Sequence, residues 1–276
     1  MGSLAGIPVR VHATFLLLLA WIALAYAVAG ATPAGVVFNL AMVVAVFATI
    51  VVHELGHAVV ARRLGGVTRE ITLLPIGGIA SMERVPERPG DELAVALVGP
   101  AINLGLALVL ALGVRVAGGG YDVDTDVSVV HAFVVQLMWI QLALAVFNML
   151  PAFPLDGGRA LRALMAIRVG RLRATLIAGR IGMGLAIALG VVGWLTSWWL
   201  VVIAMVVFLG AQQELALAKF HTATAPAATT ADVPIVPPAP VGPAVAPLAA
   251  TAPMQIVTGE NVVIVVSATP PMPLHR

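Results

Sequence analysis

Long apolar segments recur along this chain, and they limit its possible folds more than any other feature. Each is long enough for a helix to cross the hydrocarbon core of a bilayer, which takes about 20 residues. Hydrophobic residues make up 61% of the chain and charged residues 10%, whereas about a quarter of the residues in a soluble domain are charged. The sequence therefore predicts an all-α polytopic membrane protein. Its six predicted transmembrane helices are 13–31, 35–64, 92–117, 128–150, 174–194 and 197–217.

The distribution of charge predicts how these helices are oriented. Basic residues collect in the predicted loops on one side of the membrane, while the other side carries the acidic segment 118–128. Cytoplasmic loops are enriched in Lys and Arg, so both termini are predicted to be cytoplasmic in a multi-pass protein of the cell membrane. This bias also explains the net charge of +2 without nucleic acid as a partner. The chain contains no Cys, which excludes disulfides and thiolate metal sites.

The composition changes at about residue 222. The segment 222–276 is rich in Ala, Pro and Thr, and its prolines prevent a continuous helix. We therefore predict a transmembrane domain over 1–221 and a disordered cytoplasmic tail over 222–276. Within the tail, strand-forming residues on both sides of a Gly-Glu-Asn sequence predict a possible short β-hairpin at 255–267.

A segment without helical periodicity follows the second predicted helix. In residues 67–90, β-branched residues stand on both sides of the sequence PIGG, which contains Gly77 and Gly78, and two prolines follow. This pattern predicts a small β-hairpin and then a loop at the cytoplasmic interface. Non-helical backbone is tolerated at membrane depth only where protein or a water-filled cavity surrounds it. An ordinary interfacial loop is the alternative interpretation.

Three ionisable residues interrupt the second apolar segment. His53, Glu54 and His57 form the sequence HELGH among Val, Ala, Leu and Ile. Buried ionisable groups are costly, so they persist mainly where they are paired, bound to metal or functional. On a helix, H-E-x-x-H places two imidazoles one turn apart, where both can bind one zinc ion with the glutamate beside them as general base. The alternative is a transporter core in which the histidines pair with other polar groups.

A catalytic zinc ion usually has three protein ligands, so another segment must supply the third. Asp156 is the best candidate because it follows the fourth predicted helix in a segment rich in Pro and Gly, where the backbone can bend sharply. The other histidines have no comparable context. The alternative is that Asp156 only caps the next helix.

Two motifs together resemble the site-2 protease family of intramembrane zinc metalloproteases, namely HELGH at 53–57 and NMLPAFPLDGGR at 148–159. Three further segments resemble the same family: GIPVRVH at 6–12, LLPIGGIASM at 73–82 and VGPAINL at 98–104. The resemblance covers about 1–217 and is greatest to the short six-helix subgroup without a PDZ domain, which is related to the proteases that process sporulation pro-sigma factors. Many relatives also carry nucleotide-binding CBS domains. No such module fits into 222–276, so we do not expect nucleotide regulation.

The resemblance implies a zinc-dependent endopeptidase that cuts in or near the transmembrane segment of a membrane-anchored regulatory protein. It assigns one zinc ion per chain to His53, His57 and Asp156, and the role of general base to Glu54. Asn148 matches a family asparagine that helps to hold the substrate or its oxyanion. An interhelical hydrogen bond is an equal alternative for that amide.

The substrate of such an enzyme must present an extended backbone, and extended peptides commonly pair with an exposed strand edge. We therefore expect one of the strands beside Gly77 and Gly78, about 68–74 or 78–82, to bind the substrate. Two other functions remain open, a multi-pass zinc-binding transporter and a catalytically silent scaffold of the same fold. Glu54 favours hydrolysis, because transport has little use for a carboxylate that stands beside the metal without binding it.

Overall fold

The computed structural model describes residues 2–75, 77–84, 88–122 and 128–224, together with residues 258–259 and 262–263 of the tail. Helices dominate this described part. In chain order they are α1 (Ala13–Val28), α2 (Pro33–Arg63), α3 (Pro89–Val116), α4 (Val129–Asn148), α5 (Asp156–Val169), α6 (Arg171–Thr196) and α7 (Trp198–Thr224). The strands are β1 (Gly2–Leu4), β2 (Ile7–Val11), β3 (Val67–Leu74), β4 (Gly77–Arg84), β5 (Thr258–Gly259) and β6 (Val262–Val263).

Five helices are long and apolar enough to cross a membrane, namely α2, α3, α4, α6 and the part Trp198–Phe220 of α7. They correspond to five of the six predicted spans, and the mainly helical, polytopic fold is confirmed. The first predicted span, 13–31, forms the 16-residue apolar helix α1. At about 1.5 Å per residue its length is about 24 Å, which is less than the roughly 30 Å of a bilayer's hydrocarbon core.

The predicted hairpin is present and forms half of a small sheet. β3 and β4 are antiparallel, with Leu73 opposite Gly78 and Ile71 opposite Ala80. The four strands lie in the order β1-β2-β3-β4. Among the described strands β3 is therefore an inner strand with a neighbour on each side, and β4 lies at the edge.

β1 and β2 are not predicted from the sequence. β1 pairs antiparallel with β2, and β2 pairs parallel with β3, placing Val9 beside Ile71. Ile7 and Ile71 are both buried against Ala58 of α2. This contact packs the sheet on the end of α2 that carries HELGH.

α3 is the central helix of the bundle and packs on α2, α4 and α5. Small residues allow close approach at the contact with α2, where the side chain of Ile102 fills the space beside Gly56. At the other end of α3, Ala107 and Val114 form an apolar cluster with Val135 and Met138 of α4. α2 and α5 carry the predicted metal ligands, and both pack against the same end of α3.

In the tail, β5 and β6 pair antiparallel, with Thr258 opposite Val263. Both strands lie inside the segment 255–267 for which the sequence predicts a hairpin. α7 continues to Thr224, past the boundary at residue 221. The rest of 222–276 lies outside the described residues, and the division of the chain into these two domains stays a prediction.

Candidate metal centre

The two motif histidines lie one turn apart on α2 and both are buried, with 6% of His53 and 2% of His57 exposed. Their Nε2 atoms are 3.1 Å apart. His57 lies about 9 Å before the end of the helix, at about 1.5 Å per residue. The spacing of HELGH therefore produces the arrangement expected of it, two ring nitrogens that face the same point inside the bundle.

Asp156 reaches the same point from the start of α5. Its Oδ2 atom lies 3.2 Å from Nε2 of His53 and 3.1 Å from Nε2 of His57. The alternative role as a helix cap is wrong, because Leu155 is the N-cap residue and no side chain caps the helix. The backbone turns tightly here: a Cβ atom on Gly158 would lie 2.6 Å from the backbone nitrogen of Phe153. Gly158 thus allows the turn that brings Asp156 to α2.

The three side chains fit the geometry of a bound zinc ion. Two ligands at about 2.0–2.1 Å from a tetrahedral zinc are about 3.3 Å apart, close to the 3.1–3.2 Å edges of this triangle. His57 Nδ1 lies 2.7 Å from the backbone oxygen of Val95. A carbonyl oxygen can only accept, so Nδ1 carries the proton and the Nε2 lone pair of the neutral ring is free to bind a cation. Among the residues that the structure describes, these three form a group that could hold a metal ion.

The carboxylate of Asp156 is in the form that binds a cation. Burial alone would raise its pKa, but when the His53 and His57 rings carry a proton on Nε2 their hydrogen bonds to the carboxylate outweigh that effect and hold the pKa well below its ordinary value. The group is therefore ionised at neutral pH. It supplies the one formal negative charge among the three ligand groups.

Glu54 stands beside this triangle, where its side chain meets the sheet. It is half-buried, and a Cβ atom on Gly78 of β4 would lie only 2.8 Å from its Cγ atom. β4 can therefore pass this close to Glu54 because residue 78 has no side chain. Gly77 begins the strand with φ at 133°, a backbone conformation that favours glycine, and no atom lies within 4 Å of where its Cβ would be.

Comparison with known proteins agrees with this geometry. The sequence model of peptidase family M50 matches residues 41–129 and 121–191 of this chain. The chain belongs to peptidase family M50. A site-2 protease from Methanocaldococcus jannaschii has a similar structure, with a TM-score of 0.57 and 32% identity over 78% of this chain and 94% of that one.

Curated relatives in the M50 family extend the comparison. A zinc metalloprotease of Methanocaldococcus jannaschii is 32% identical over 221 residues, which cover 80% of this chain and 61% of that protein. Stage IV sporulation protein FB of Bacillus subtilis is 33% identical over 122 residues, which cover 42% of this chain and 38% of that protein. The chain spans only 56–61% of the length of the first three curated relatives it matches.

Two parts of this M50 site are not evident from its motifs. Gly99 of α3 lies against the two ring nitrogens. A Cβ atom at Gly99 would contact Nε2 of His57 and would lie 2.6 Å from Nε2 of His53. The other part is the Val95 carbonyl, a backbone group that carries no sequence signal of its own.

Asn148 is the last residue of α4 and is half-buried. Its side chain makes no hydrogen bond with the residues that the structure describes. An interhelical hydrogen bond, the alternative role for this amide, is thus not observed among those residues. The amide is available to a ligand and lies eight residues before Asp156 in the chain.

Proposed function

We propose that this protein is a zinc-dependent intramembrane endopeptidase that hydrolyses a peptide bond in or near the transmembrane segment of a membrane-anchored regulatory protein. The observation that carries the proposal is the meeting of two imidazole nitrogens and one carboxylate oxygen at 3.1–3.2 Å, inside a bundle of apolar helices. A carboxylate that is not part of the triangle, Glu54, stands beside it. Membership of the M50 family supports the same activity.

His53, His57 and Asp156 would hold one zinc ion per chain through two Nε2 atoms and one Oδ atom. When bound in such a site, zinc polarises a carbonyl oxygen and lowers the pKa of water. The Val95 carbonyl keeps His57 in the tautomer that leaves Nε2 free. Gly99 leaves the space in which the two rings and the cation meet.

Glu54 acts as the general base. It accepts the proton of the attacking water and passes it to the nitrogen of the leaving peptide. The Asn148 amide donates a hydrogen bond to the scissile carbonyl oxygen as negative charge develops on it. A preorganised neutral amide stabilises such charge. The absence of a hydrogen-bond partner for its side chain among the described residues supports this role.

We further propose that the substrate pairs with the outer edge of β4. Of the two strands suggested by the sequence, 68–74 is wrong, because β3 already pairs with β2 and β4. β4 is the edge strand, and its first residues, Gly77 and Gly78, bring it against Glu54. A substrate strand added to this edge would run beside the general base, and main-chain hydrogen bonds would hold it extended.

The alternative functions make different use of the same residues. A zinc transporter needs ligands that release their ion, and it has no evident use for Glu54 beside them. A catalytically silent scaffold would be expected to lack a ligand or the base, but the three candidate ligands lie together and Glu54 follows His53 directly in α2. Hydrolysis is the function that uses all of them.

For the cellular setting, we propose that both termini face the cytoplasm, with the lipid bilayer and the membrane-anchored substrate as partners. Lys and Arg on the proposed cytoplasmic side support this orientation. No nucleic acid is proposed as a partner. Reporter tags at residues 86, 168 and 222 should be found in the cytoplasm and a tag at residue 123 outside. A tag at residue 86 found outside would contradict the orientation.

The activity is tested by comparing the fragments released from membranes by the wild type and by Glu54→Gln. This variant keeps the three ligands and removes the base. We expect fragments that begin or end in a transmembrane segment to be present with the wild type and absent with Glu54→Gln, while zinc content is unchanged. Identical fragments from both proteins would contradict the proposed protease.

A further inference from the structure

A cluster of charged side chains is buried close to the metal centre and takes no part in the proposed chemistry. At its centre is Arg162 of α5, of which 9% is exposed, and its main partner is Glu92 of α3, of which 4% is exposed. Nε and Nη2 of Arg162 lie 2.7 and 2.6 Å from the same carboxylate oxygen of Glu92. Nη1 of Arg162 lies 3.2 Å from Glu214 of α7.

Stability alone is a weak reason for such a cluster. Removing two charges from water costs several kcal/mol per ion, and well-packed apolar residues of similar volume are often as stable. A buried ion pair does, however, fix the relative orientation of the two segments that carry it, because the guanidinium fork and the carboxylate meet in few geometries. The pair can therefore fix the relative position of the two parts of the fold that it joins.

One arm of the pair leads to Asp156. Arg162 lies on α5 less than two turns after that residue, and its guanidinium carbon is 5.0 Å from the centre of the Phe153 ring, which is fully buried. Phe153 belongs to the tight turn immediately before Asp156. Arg162 thus contacts the segment before the ligand while its own helix carries the ligand.

The other arm leads to His57. Glu92 lies on the first turn of α3, three residues before Val95, whose carbonyl oxygen accepts the hydrogen bond from His57 Nδ1 at 2.7 Å. A change in the position of this turn would move the acceptor that sets the tautomer and the ring plane of His57. Outer partners of this kind typically contribute 10–100-fold to metal affinity.

We propose that the Arg162–Glu92 pair is a clamp that positions the metal ligands. It fastens the segment that carries Asp156 to the turn of α3 that orients His57. Arg162 and Glu92 are therefore positioning residues and touch neither metal nor substrate. The proposal rests on the metal site of the proposed function, but it concerns metal binding and does not require cleavage.

The experiment measures the zinc dissociation constant of the full-length protein by competition with a chelator, under conditions in which the metal-free protein is folded. We expect Arg162→Gln and Glu92→Gln each to weaken zinc binding by about 10–100-fold. Arg162→Lys keeps the charge but loses the fork, so its loss should be intermediate. The absorption spectrum of the cobalt-substituted protein should shift in the same variants, because it reports the geometry of the ligands.

Two control variants separate positioning from general stability. Arg171→Gln removes another cation from the same Glu92, but Arg171 lies on α6, is half-exposed and is 3.9 Å from the carboxylate, so zinc affinity should be unchanged. Val135→Ala opens a cavity in the apolar cluster of α3 and α4 and should lower the melting temperature without changing zinc affinity or the cobalt spectrum.

The outcomes are distinct. Wild-type zinc affinity and an unshifted cobalt spectrum in folded Arg162→Gln would overturn the clamp. Zinc affinity that falls with melting temperature in every variant, Val135→Ala included, would overturn it as well, because the cluster would then act only through stability. Failure of the wild type to bind zinc would instead contradict the proposed function.

Discussion

The two halves of α3 pack against their neighbours by different chemistry. In the half 89–103, Glu92 pairs with buried Arg162, the Val95 carbonyl accepts from His57, and Gly99 lies against two imidazoles. In the half 104–116, Ala107 and Val114 pack with apolar residues of α4. The contacts described for α3 are therefore mainly polar in its first half and apolar in its second half.

This difference indicates how each half should respond to substitution. Apolar packing is non-directional, so its cost follows the volume removed and the relaxation of the neighbours. A metal site requires ligand atoms within a few tenths of an ångström of their positions, and its supporting groups must be equally well placed. We expect the half 89–103 to be sensitive to geometry and the half 104–116 to be sensitive only to volume.

The largest effect should come from the ligands themselves. Asp156→Ala, His53→Ala or His57→Ala should lower the zinc content below the expected one ion per chain and abolish cleavage, because two ligands hold zinc poorly. Glu54→Gln should abolish cleavage but retain zinc, since Glu54 is not in the triangle. Metal analysis of purified protein and cleavage in reconstituted membranes measure both quantities. Full zinc content and full cleavage with Asp156→Ala would place the third ligand elsewhere.

The next largest effect should come from adding one methyl group to the first half of α3. The same change in the second half is its control. Gly99→Ala would place its Cβ atom against Nε2 of both histidines, so zinc binding and cleavage should fall sharply. Gly105→Ala, less than two turns further along, has no atom within 4 Å of the new Cβ. It should leave both unchanged and stabilise the helix by about 0.5–1 kcal/mol, the usual difference between Gly and Ala. Equal loss in the two variants would refute the proposed difference between the halves.

The sequence predicts the parts of this site that depend on side-chain identity. His53, Glu54, His57 and Asp156 are conspicuous because each is ionisable in an apolar or turn-forming context, and burial makes such groups costly. The hairpin is predictable for a related reason, since its turn residues interrupt a helical pattern. Local sequence therefore predicts the candidate ligands, the candidate base and one strand pair.

Parts of the site that depend on distant backbone are not predictable in this way. The Val95 carbonyl has no side-chain signature, and the parallel pairing of Val9 with Ile71 joins segments far apart in the chain. Arg162 is misleading in the opposite direction. By the positive-inside rule it counts as an ordinary cytoplasmic loop cation, but it is buried against Glu92 because α3 and α5 meet there.

A smaller and more selective effect should follow from proline in β4. Where the backbone N–H of β4 points to the outer edge, proline removes a donor for the substrate but no bond to β3. Cleavage should fall while zinc content and melting temperature hardly change. Proline in β3, an inner strand, should instead disrupt the sheet and destabilise the protein. If proline in residues 78–82 slows cleavage only where zinc or the fold is also lost, β4 is structural and the substrate is held elsewhere.

Substrates with Gly, Pro or Asn near the cut should be favoured, because such segments unwind readily.

The smallest effect should come from the C-terminal tail, which lies outside both halves of α3. None of the four residues proposed for metal binding and catalysis lies beyond Thr224, the last residue of α7. Truncation after residue 224 should therefore leave zinc affinity and melting temperature unchanged. Cleavage should change only if the strand pair at 258–263 binds the enzyme or a partner, and adding the separate tail peptide to the truncated protein would then restore the original rate. Loss of zinc on truncation would contradict a self-sufficient transmembrane domain. Unchanged zinc together with an altered, peptide-restored rate would assign the tail a regulatory role without altering the proposed site.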